Sequence, residues 1–271
     1  MSIITLTTDF GTKDPDLGAL KSRIIKQIPN AQMIDISHHL TPFDLEEAVY
    51  IIKTALKDFP KGTIHLTGID SETDAQKKPI LIETNGQYYL GNDNGVLATA
   101  LEDVDCQYYK LKYTQSENLL QTQIDAAKML SEGMLPSDFS VSVNGLNTIV
   151  PSNIYIKYKG NTDTVALVGA PVIYNDHYGN AVFNITKETF ESWRQGRKFA
   201  IRASHSEVNE IRDTYHSNKL EGALSEVGKM GARWNNFGYL EVFNYKSNKQ
   251  SGGANTILSL YKGRTINILF E

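Results

Sequence analysis

A carboxylate and a glycine directly follow the first strand-like stretch of the chain. Residues 2–8 alternate apolar and hydroxyl side chains, as a strand does, and Asp9 and Gly11 come immediately after them. In open α/β sheets, ligands bind beyond the carboxyl ends of the strands, where an acidic side chain commonly holds a ribose hydroxyl or another polar group. Asp9 therefore indicates a small-molecule site. The alternative is that Asp9 and Asp14 only cap the helix that follows.

The histidines and the single cysteine lack the spacing of metal ligands. His38 and His39 are adjacent near the end of a predicted strand, so their side chains point to opposite faces and make a poor metal pair. Cys106 is the only cysteine, which excludes an internal disulfide and a cluster of several thiolates. We therefore expect no metal site, and the sequence has no glycine-rich phosphate loop.

The first half of the chain alternates strand-like and helix-like stretches, which favours a layered sheet flanked by helices. Apolar residues recur at helical spacing over 16–28 and 44–59, and we expect Thr41 to cap the second helix. Another helix is predicted over 124–135, with Met134 facing inward. The predicted strands are residues 2–8, 32–36, 63–69, 80–84 and 87–90.

Beyond residue 150 the pattern changes to short strands joined by glycine-bearing turns, which is typical of a small β-barrel or sandwich. The predicted strands are residues 164–174, 181–185, 198–203, 239–245, 256–261 and 265–270. Residues 140–163 are rich in Asn, Gly, Ser and Thr and are interpreted as a connector. We therefore predict an α/β domain over 1–150 and a smaller β-barrel domain over 151–271.

The composition is that of an ordinary globular protein and limits its partners. Of 271 residues, 41% are hydrophobic and 21% are charged, and the formal net charge is −4. A nucleic-acid binder needs an excess of basic residues to neutralise phosphates, so we expect no nucleic-acid partner. No apolar stretch approaches the roughly 20 residues that span a bilayer, and the start does not resemble a secretory leader. With a single cysteine, these features predict a cytoplasmic protein without a membrane partner.

Five short motifs occur in the same order as in one known family. The first three are Thr8-Asp9-Phe10-Gly11, Asp35-Ile36-Ser37-His38 with Pro42-Phe43-Asp44, and Asn92-Asp93-Asn94-Gly95. The other two are Asp176-His177-Tyr178-Gly179-Asn180 and Asn235-Asn236-Phe237-Gly238-Tyr239-Leu240-Glu241. Each motif alone is weak, but five in register along the chain form a specific pattern. In them the chain resembles the S-adenosyl-L-methionine (SAM) hydroxide adenosyltransferases, or SAM hydrolases, which are relatives of the fluorinase and chlorinase enzymes.

This resemblance implies a homotrimer in which SAM lies between the N-terminal α/β domain of one subunit and the C-terminal β-barrel of a neighbour. The family's reaction is an in-line displacement at C5′ of the ribose. Water or hydroxide attacks, neutral methionine leaves the sulfonium, and the products are adenosine and L-methionine. No cofactor or metal is expected, because the sulfonium is already a good leaving group and the protein need only align the reactants and exclude bulk water.

The resemblance assigns the ribose and part of the methionine to particular residues. Asp9 matches the family's ribose-binding aspartate, and Phe43 matches an aromatic residue that walls the ribose and nucleophile pocket. The alternative for Phe43 is a residue that packs near the start of a helix. Asn236 and Phe237 fall where the family contacts the methionine carboxylate and adenine. Glu241 follows on the same strand, and its alternative role is that of a solvated charge.

The fourth motif implies contacts to the ammonium group and the base. Asp176 matches the aspartate that takes the substrate's ammonium, Tyr178 the ring that stacks near adenine, and Asn180 the amide that reads the edge of the base. The alternative is that this segment is simply a turn before the strand predicted over 181–185.

The chain departs from the family pattern at the centre of the chemistry. The family has an aspartate in a glycine-containing loop, an arginine and, further on, a histidine. Asp70 retains the aspartate, but the glycines are absent and Lys77 replaces the arginine. Asn118 falls on the histidine, with Gln121 or Gln123 as alternatives, and an amide can orient water but cannot take its proton. We therefore expect Asp70 to act as the base or to orient the water, with Lys77 as its electrostatic partner, unless Asp70 only caps the turn.

Three functions are compatible with these residues. The first is an enzyme that cleaves SAM with water. The second is a catalytically silent member that binds SAM or adenosine, which Lys77, Asn118 and the missing glycines favour. The third is an enzyme with another nucleophile. Halide is disfavoured because we find no serine/threonine pair to coordinate it, and Thr73 alone is not enough.

Overall fold

The computed structural model describes residues 2–56, 58–71, 78–112, 119–215, 227–247 and 252–271. The chain divides into two compact units, Met1–Val150 and Pro151–Glu271. Both units are rich in sheet and carry helices. Among the described residues, no helix combines the length and apolar character needed to cross a membrane.

The first unit is a seven-stranded sheet with helices on its faces. Its strands are β1 (Ile3–Thr8), β2 (Gln32–Ser37), β3 (Ile64–Gly68), β4 (Pro79–Thr84), β5 (Gln87–Asn92), β6 (Gln107–Leu111) and β7 (Ser140–Val143). Its helices are α1 (Asp16–Gln27), α2 (Leu45–Ala55), α3 (Val96–Ala100), α4 (Leu119–Ser131) and α5 (Pro136–Phe139). The strand order in the described part is β2-β1-β3-β5-β4-β6-β7, and β1, β2, β3 and β5 pair in parallel.

The strand order places the crevice of this sheet between β1 and β3. From β1 the chain moves to β2 on one side, and it then returns to β3 on the other side. Ligands of α/β sheets bind at the carboxyl ends of the strands where the order reverses in this way. Asp9 follows β1 and Asp70 lies just beyond β3, so both carboxylates are at this point.

Apolar stripes on the helices hold the two faces of the sheet. Leu20 and Ile24 of α1 are buried with Ile124 of α4 on one face, and Ile52 of α2 is buried on the other. Burial of each such side chain stabilises the fold by about 1.5–3 kcal/mol.

The N-cap of α2 differs from its prediction. The N-cap is Asp44, whose Oδ1 accepts a hydrogen bond from the Glu47 backbone N–H at 3.0 Å. Thr41 was expected to cap this helix, which is wrong. Its backbone N–H instead donates to Glu47 Oε2 at 3.3 Å. The chain does not turn helical until after Phe43, whose φ of 65° lies in the left-handed region.

The second unit is an antiparallel sheet that is nearly barrel-shaped. Its strands are β8 (Tyr155–Tyr158), β9 (Val165–Asn175), β10 (Ala181–Thr186), β11 (Phe199–Ala203), β12 (Ser206–Val208), β13 (Met230–Trp234), β14 (Tyr239–Asn244) and β15 (Thr265–Phe270). Its helices are α6 (Lys187–Arg194) and α7 (Ala254–Ile257). The described order is β12-β11-β15-β9-β10-β14-β13, with β8 also on β9, and the end strands β12 and β13 contact each other.

Tertiary contacts overrule three sequence-based expectations. The connector predicted over 140–163 contains β7 and β8, which are short strands with many exposed residues and hence little periodicity. The strand predicted over 256–261 is wrong, because its first residues belong to α7, where the Asn255 backbone N–H donates to Gly179 O at 2.8 Å. Met134 is 39% exposed and lies beyond the end of α4, so it does not face inward.

His65 is a buried histidine in β3, with 1% of its surface exposed. Its Nδ1 lies 2.8 Å from the Thr5 hydroxyl, and its Nε2 lies 3.3 Å from Gln87 Oε1. Burial lowers the pKa of His65 to about 4, although the hydrogen bond to Gln87 opposes this shift. The neutral ring is therefore the form that the fold accommodates.

We expect this histidine to make the fold sensitive to acid. Between pH 6.5 and pH 4 the unfolded chain binds a proton at His65 that the folded chain does not. The stabilisation is therefore complete above about pH 6.5, and about 3 kcal/mol is lost as the pH falls towards 4. Denaturant unfolding at several pH values measures the free energy of unfolding of the wild type and of His65→Gln. The advantage of the wild type over the variant should shrink as the pH falls, because only the wild type has the histidine. A difference independent of pH would contradict it.

Candidate functional site

Asp9 joins three loops at the carboxyl edge of the first unit's sheet. Its Oδ2 accepts hydrogen bonds from the backbone N–H groups of Phe43, at 3.2 Å, and Asp70, at 3.1 Å. Its Oδ1 makes no hydrogen bond within the part of the chain that the structure describes. Asp9 does not cap α1, where Pro15 occupies the N-cap position without a side-chain hydrogen bond. We call Asp9, Phe43 and Asp70 the strand-tip junction.

The two residues that donate to Asp9 both have left-handed backbones. The φ angle is 65° at Phe43 and 44° at Asp70. Such angles cost on the order of 1–3 kcal/mol for a bulky side chain, and they persist only where surrounding contacts enforce them. Here they turn both N–H groups towards one carboxylate oxygen. Phe43 is 63% exposed, so most of its surface makes no contact with the described residues around the start of α2.

His38 braces the loop after β1. Its Nδ1 lies 2.8 Å from the Thr8 hydroxyl, and its carbonyl accepts the Gly11 N–H at 2.7 Å. Its Nε2 lies 3.2 Å from Asp35, which also accepts a 2.6 Å hydrogen bond from Lys21. Burial alone would raise the pKa of Asp35, but its bonds to Lys21 and His38 outweigh burial and lower that pKa.

Two further contacts fix the backbone just before Asp70. A Cβ on Gly68 would lie 2.9 Å from the Phe10 ring, so only glycine lets this ring pack there. Asn94 Nδ2 donates to the Ile69 carbonyl at 3.0 Å, which ties the turn after β5 to the residue before Asp70.

The structure describes only some of the residues expected to assist Asp70. Lys77 and Asn118 lie outside the described residues. Of the two alternatives to Asn118, Gln121 donates to Asp125 on its own helix at 2.8 Å. Gln123 is fully buried, and its Nε2 donates to Asn92 Oδ1 at the carboxyl end of β5, also at 2.8 Å. Gln123 is therefore the alternative that reaches the same edge of the sheet as the strand-tip junction.

In the second unit, Asp176 organises the turn between β9 and β10. Its Oδ1 accepts the backbone N–H groups of Tyr178, at 2.9 Å, and Asn180, at 2.8 Å. Its Oδ2 accepts the Asn180 side-chain Nδ2 at 2.8 Å. Gly179 has a φ of 79°, and a Cβ there would lie 3.0 Å from the Gly253 backbone. The segment is therefore a tight turn, and two of its side chains also face a cavity.

This cavity has a volume of about 320 Å³, within the ~300–1,000 Å³ range of small-molecule sites. Its lining includes Tyr178, Asn180, Tyr215, Asn244, Tyr245 and Lys246. Tyr178 is 66% exposed at its mouth, whereas Asn180 and Asn244 are buried. Asn244 Oδ1 has no hydrogen-bond partner among the described residues. The sequence analysis singled out Tyr178 and Asn180 but none of the other residues that line the cavity.

Glu241 lies in a buried ion pair next to the cavity. Its Oε1 accepts hydrogen bonds from Arg233 Nε, at 2.8 Å, and from the Tyr215 hydroxyl, at 2.9 Å. The Arg233 guanidinium also stacks on the Tyr215 ring, 3.8 Å from its centroid. Burial, with the charge and hydrogen bond of Glu241, raises the pKa of Tyr215, so this hydroxyl stays protonated. Glu241 is thus not a solvated charge.

The last two predicted residues lie at the tip of the β13–β14 hairpin. Asn235 Oδ1 accepts the backbone N–H groups of Phe237 and Tyr239, both at 3.0 Å, and closes this turn. Asn236 and Phe237 are exposed there, Phe237 to 47%. The predicted residues thus form two groups, one in each unit.

Two family models match most of the chain. Residues 4–130 match the SAM hydroxide adenosyltransferase N-terminal domain, and residues 170–267 match the SAM hydroxide adenosyltransferase C-terminal domain. The two matches follow the same order as the two units.

Curated relatives and solved structures give the same picture. A (R)-S-adenosyl-L-methionine hydrolase of Methanocaldococcus jannaschii is 27% identical, over 92% of this chain and 90% of the relative. A fluorinase of Actinoplanes sp. is 24% identical over 37% of this chain and 42% of its own. An uncharacterized conserved protein from Thermotoga maritima has the same fold, with a TM-score of 0.78, 22% identity and coverage of 98% of this chain and 99% of its own.

Proposed function

The chain belongs to the SAM hydroxide adenosyltransferase family, and we propose that it cleaves SAM with water to adenosine and L-methionine. The observation that carries this proposal is the strand-tip junction. Among the described residues, Asp9 presents an oxygen without a hydrogen bond, and its other oxygen accepts the backbone N–H of Asp70. A ribose-binding carboxylate and a candidate base are thereby fixed to each other.

In this proposal Asp9 Oδ1 accepts the ribose hydroxyls, and the exposed Phe43 ring walls the pocket. Water approaches C5′ opposite the sulfonium, with Asp70 orienting it or accepting its proton. The new C5′–O bond forms as the C5′–S bond breaks. The electron pair of the C5′–S bond stays with sulfur, which gives neutral methionine. The reaction needs no cofactor, because the sulfonium already carries the leaving group's positive charge. Lys77 and Asn118 stay predicted partners of Asp70.

The second unit would bind the base and the methionine. The cavity next to Asn180 is lined by aromatic rings, and flat rings suit a purine. Asn180 would read the edge of the base, and Tyr178 would stack near it. Asp176 would take the ammonium, and the hairpin-tip residues Asn236 and Phe237 would meet the rest of the substrate.

We further propose that the protein is a cytoplasmic homotrimer. The resemblance of its motifs to the family implies that SAM lies between two subunits. The strand-tip junction of one subunit would then complete a site with the second unit of a neighbour. Size-exclusion chromatography with light scattering tests this, and a monomer that still turns over SAM would contradict it.

A catalytically silent SAM- or adenosine-binding protein is the second candidate. It is favoured by Lys77 and Asn118, which stand where the resemblance expects an arginine and a histidine. Such a protein would keep the cavity and the strand-tip junction but lack efficient proton transfer.

Incubation with SAM in ¹⁸O-labelled water is the direct test of the proposed reaction. We expect adenosine and methionine by chromatography, with the label in the 5′ hydroxyl of adenosine, because water attacks C5′. Calorimetry with SAM and adenosine accompanies it. Tight binding without product would favour the silent protein, and no binding of either compound would overturn both candidates.

A further inference from the structure

The side-chain amide of Asn180 has only one orientation that its neighbours permit. Its Nδ2 lies 3.3 Å from the Tyr215 hydroxyl, which donates its own proton to Glu241 and so can only accept from Asn180. The same Nδ2 lies 2.8 Å from Asp176 Oδ2 and 3.4 Å from Glu241 Oε1. Carboxylate oxygens accept hydrogen bonds but do not donate them, so the amide nitrogen, and not the oxygen, must face these two groups. Asn180 Oδ1 makes no hydrogen bond within the described chain, and it is the atom left for a ligand in the cavity.

Both carboxylates are themselves held in place. Asp176 Oδ1 is occupied by the backbone N–H groups of Tyr178 and Asn180. Glu241 is 4% exposed and is fixed by Arg233 and by the Tyr215 hydroxyl. Rotation of the Asn180 amide would place its oxygen against two carboxylates and leave its nitrogen without them, so the observed orientation is strongly preferred.

This inference rests on the proposed function, since it concerns the base of the same substrate. We propose that Asp176 and Glu241 are positioning residues that fix Asn180 as a hydrogen-bond acceptor and thereby select a purine with an amino group at position 6. The 6-amino group of adenine donates to Asn180 Oδ1. A 6-oxo group presents a second acceptor to the same atom, which repels it and leaves both without a hydrogen bond.

Adenosine and inosine test this inference, because they differ at position 6 and both lack the methionine ammonium that Asp176 is also expected to bind. We expect calorimetry to give adenosine an affinity about 10–100-fold higher than inosine in the wild type. In Asp176→Asn the ratio is expected to fall towards one, since asparagine can donate to Asn180 as well as accept from it. Glu241→Gln should lower the ratio less, because Asp176 remains.

Glu207→Gln is the matched control, because Glu207 is an exposed carboxylate in the same unit that pairs with Arg202. Its ratio should equal that of the wild type. Circular dichroism checks that each variant folds. Asn180→Ala tests the inference independently: its ratio of adenosine to inosine affinity should be near one, because adenosine binds more weakly.

The outcomes separate this inference from the proposed function. If the wild type binds both nucleosides equally, or if Asp176→Asn and Asn180→Ala keep the wild-type ratio, the inference is wrong and the proposed function stands. An equal loss of both nucleosides in Asp176→Asn also overturns it. If the wild type binds neither nucleoside, the inference is wrong, and the incubation with SAM in labelled water then decides the proposed function.

Discussion

Replacing Asp70 by asparagine is expected to lower the rate of SAM cleavage by about 10²–10⁴-fold, the usual contribution of a positioned general base. The affinity for adenosine should change by no more than about threefold, because Asp70 acts on the attacking water and does not contact the adenine. Asparagine tolerates the left-handed φ of 44° at this position, so the backbone N–H can still reach Asp9. Single-turnover kinetics and calorimetry on the same preparation measure the two quantities.

Asp103→Asn is the control for this experiment. Asp103 is an exposed carboxylate of the first unit that pairs with Lys53, and its loss should leave turnover unchanged. Unchanged adenosine release by Asp70→Asn would exclude Asp70 as the base. A parallel loss of binding and turnover would instead assign it a structural role.

Replacing Asp9 by alanine is expected to have the second largest effect, because one side chain serves two purposes. Loss of a charged acceptor for the ribose hydroxyls should weaken adenosine binding by about 10–100-fold. Loss of Oδ2 also leaves the N–H groups of Phe43 and Asp70 without their partner, so turnover of bound SAM should fall as well.

Asp9→Asn separates the two purposes. An asparagine oxygen can take the place of Oδ2 and keep both backbone hydrogen bonds, whereas its nitrogen cannot accept from a hydroxyl. We therefore expect both Asp9→Asn and Asp9→Ala to bind adenosine more weakly. The rate at which bound SAM is cleaved should fall mainly in Asp9→Ala. Asp14→Asn, at an exposed position a few residues further on, is the control. Equal rates for bound SAM in the two Asp9 variants would refute the backbone role.

The local pattern was sufficient to predict where the elements of the first unit lie wherever an element follows its own periodicity. The sequence of β1 alternates, so its end and the place of Asp9 directly after it could be predicted. The sequence did not indicate that Asp9 accepts the N–H groups of Phe43 and Asp70, because these bonds depend on a left-handed backbone at two residues that are not glycine. The N-cap of α2 was assigned to the wrong residue for the same reason.

In the second unit, the missing information was mostly cross-strand. Arg233 lies opposite Glu241 in the β13–β14 pairing, and both flank the turn around Phe237 and Gly238 symmetrically. Opposite charges at such spacing predict a cross-strand pair once the turn is recognised as a hairpin. Because β13 was not predicted, Glu241 was left without its partner. α7 was mistaken for a strand because its apolar residues show no helical repeat over so short a length.

The hydrogen bond from Asp70 to Asp9 also bears on how this protein could have diverged. The bond anchors the chain at Asp70, immediately before the stretch where the resemblance to the family leads one to expect glycines and an arginine. Mutations in that stretch can therefore accumulate without shifting the aspartate. In the proposed site, natural variation can therefore alter the groups around the attacking water while the carboxylate proposed to hold the ribose is inherited unchanged.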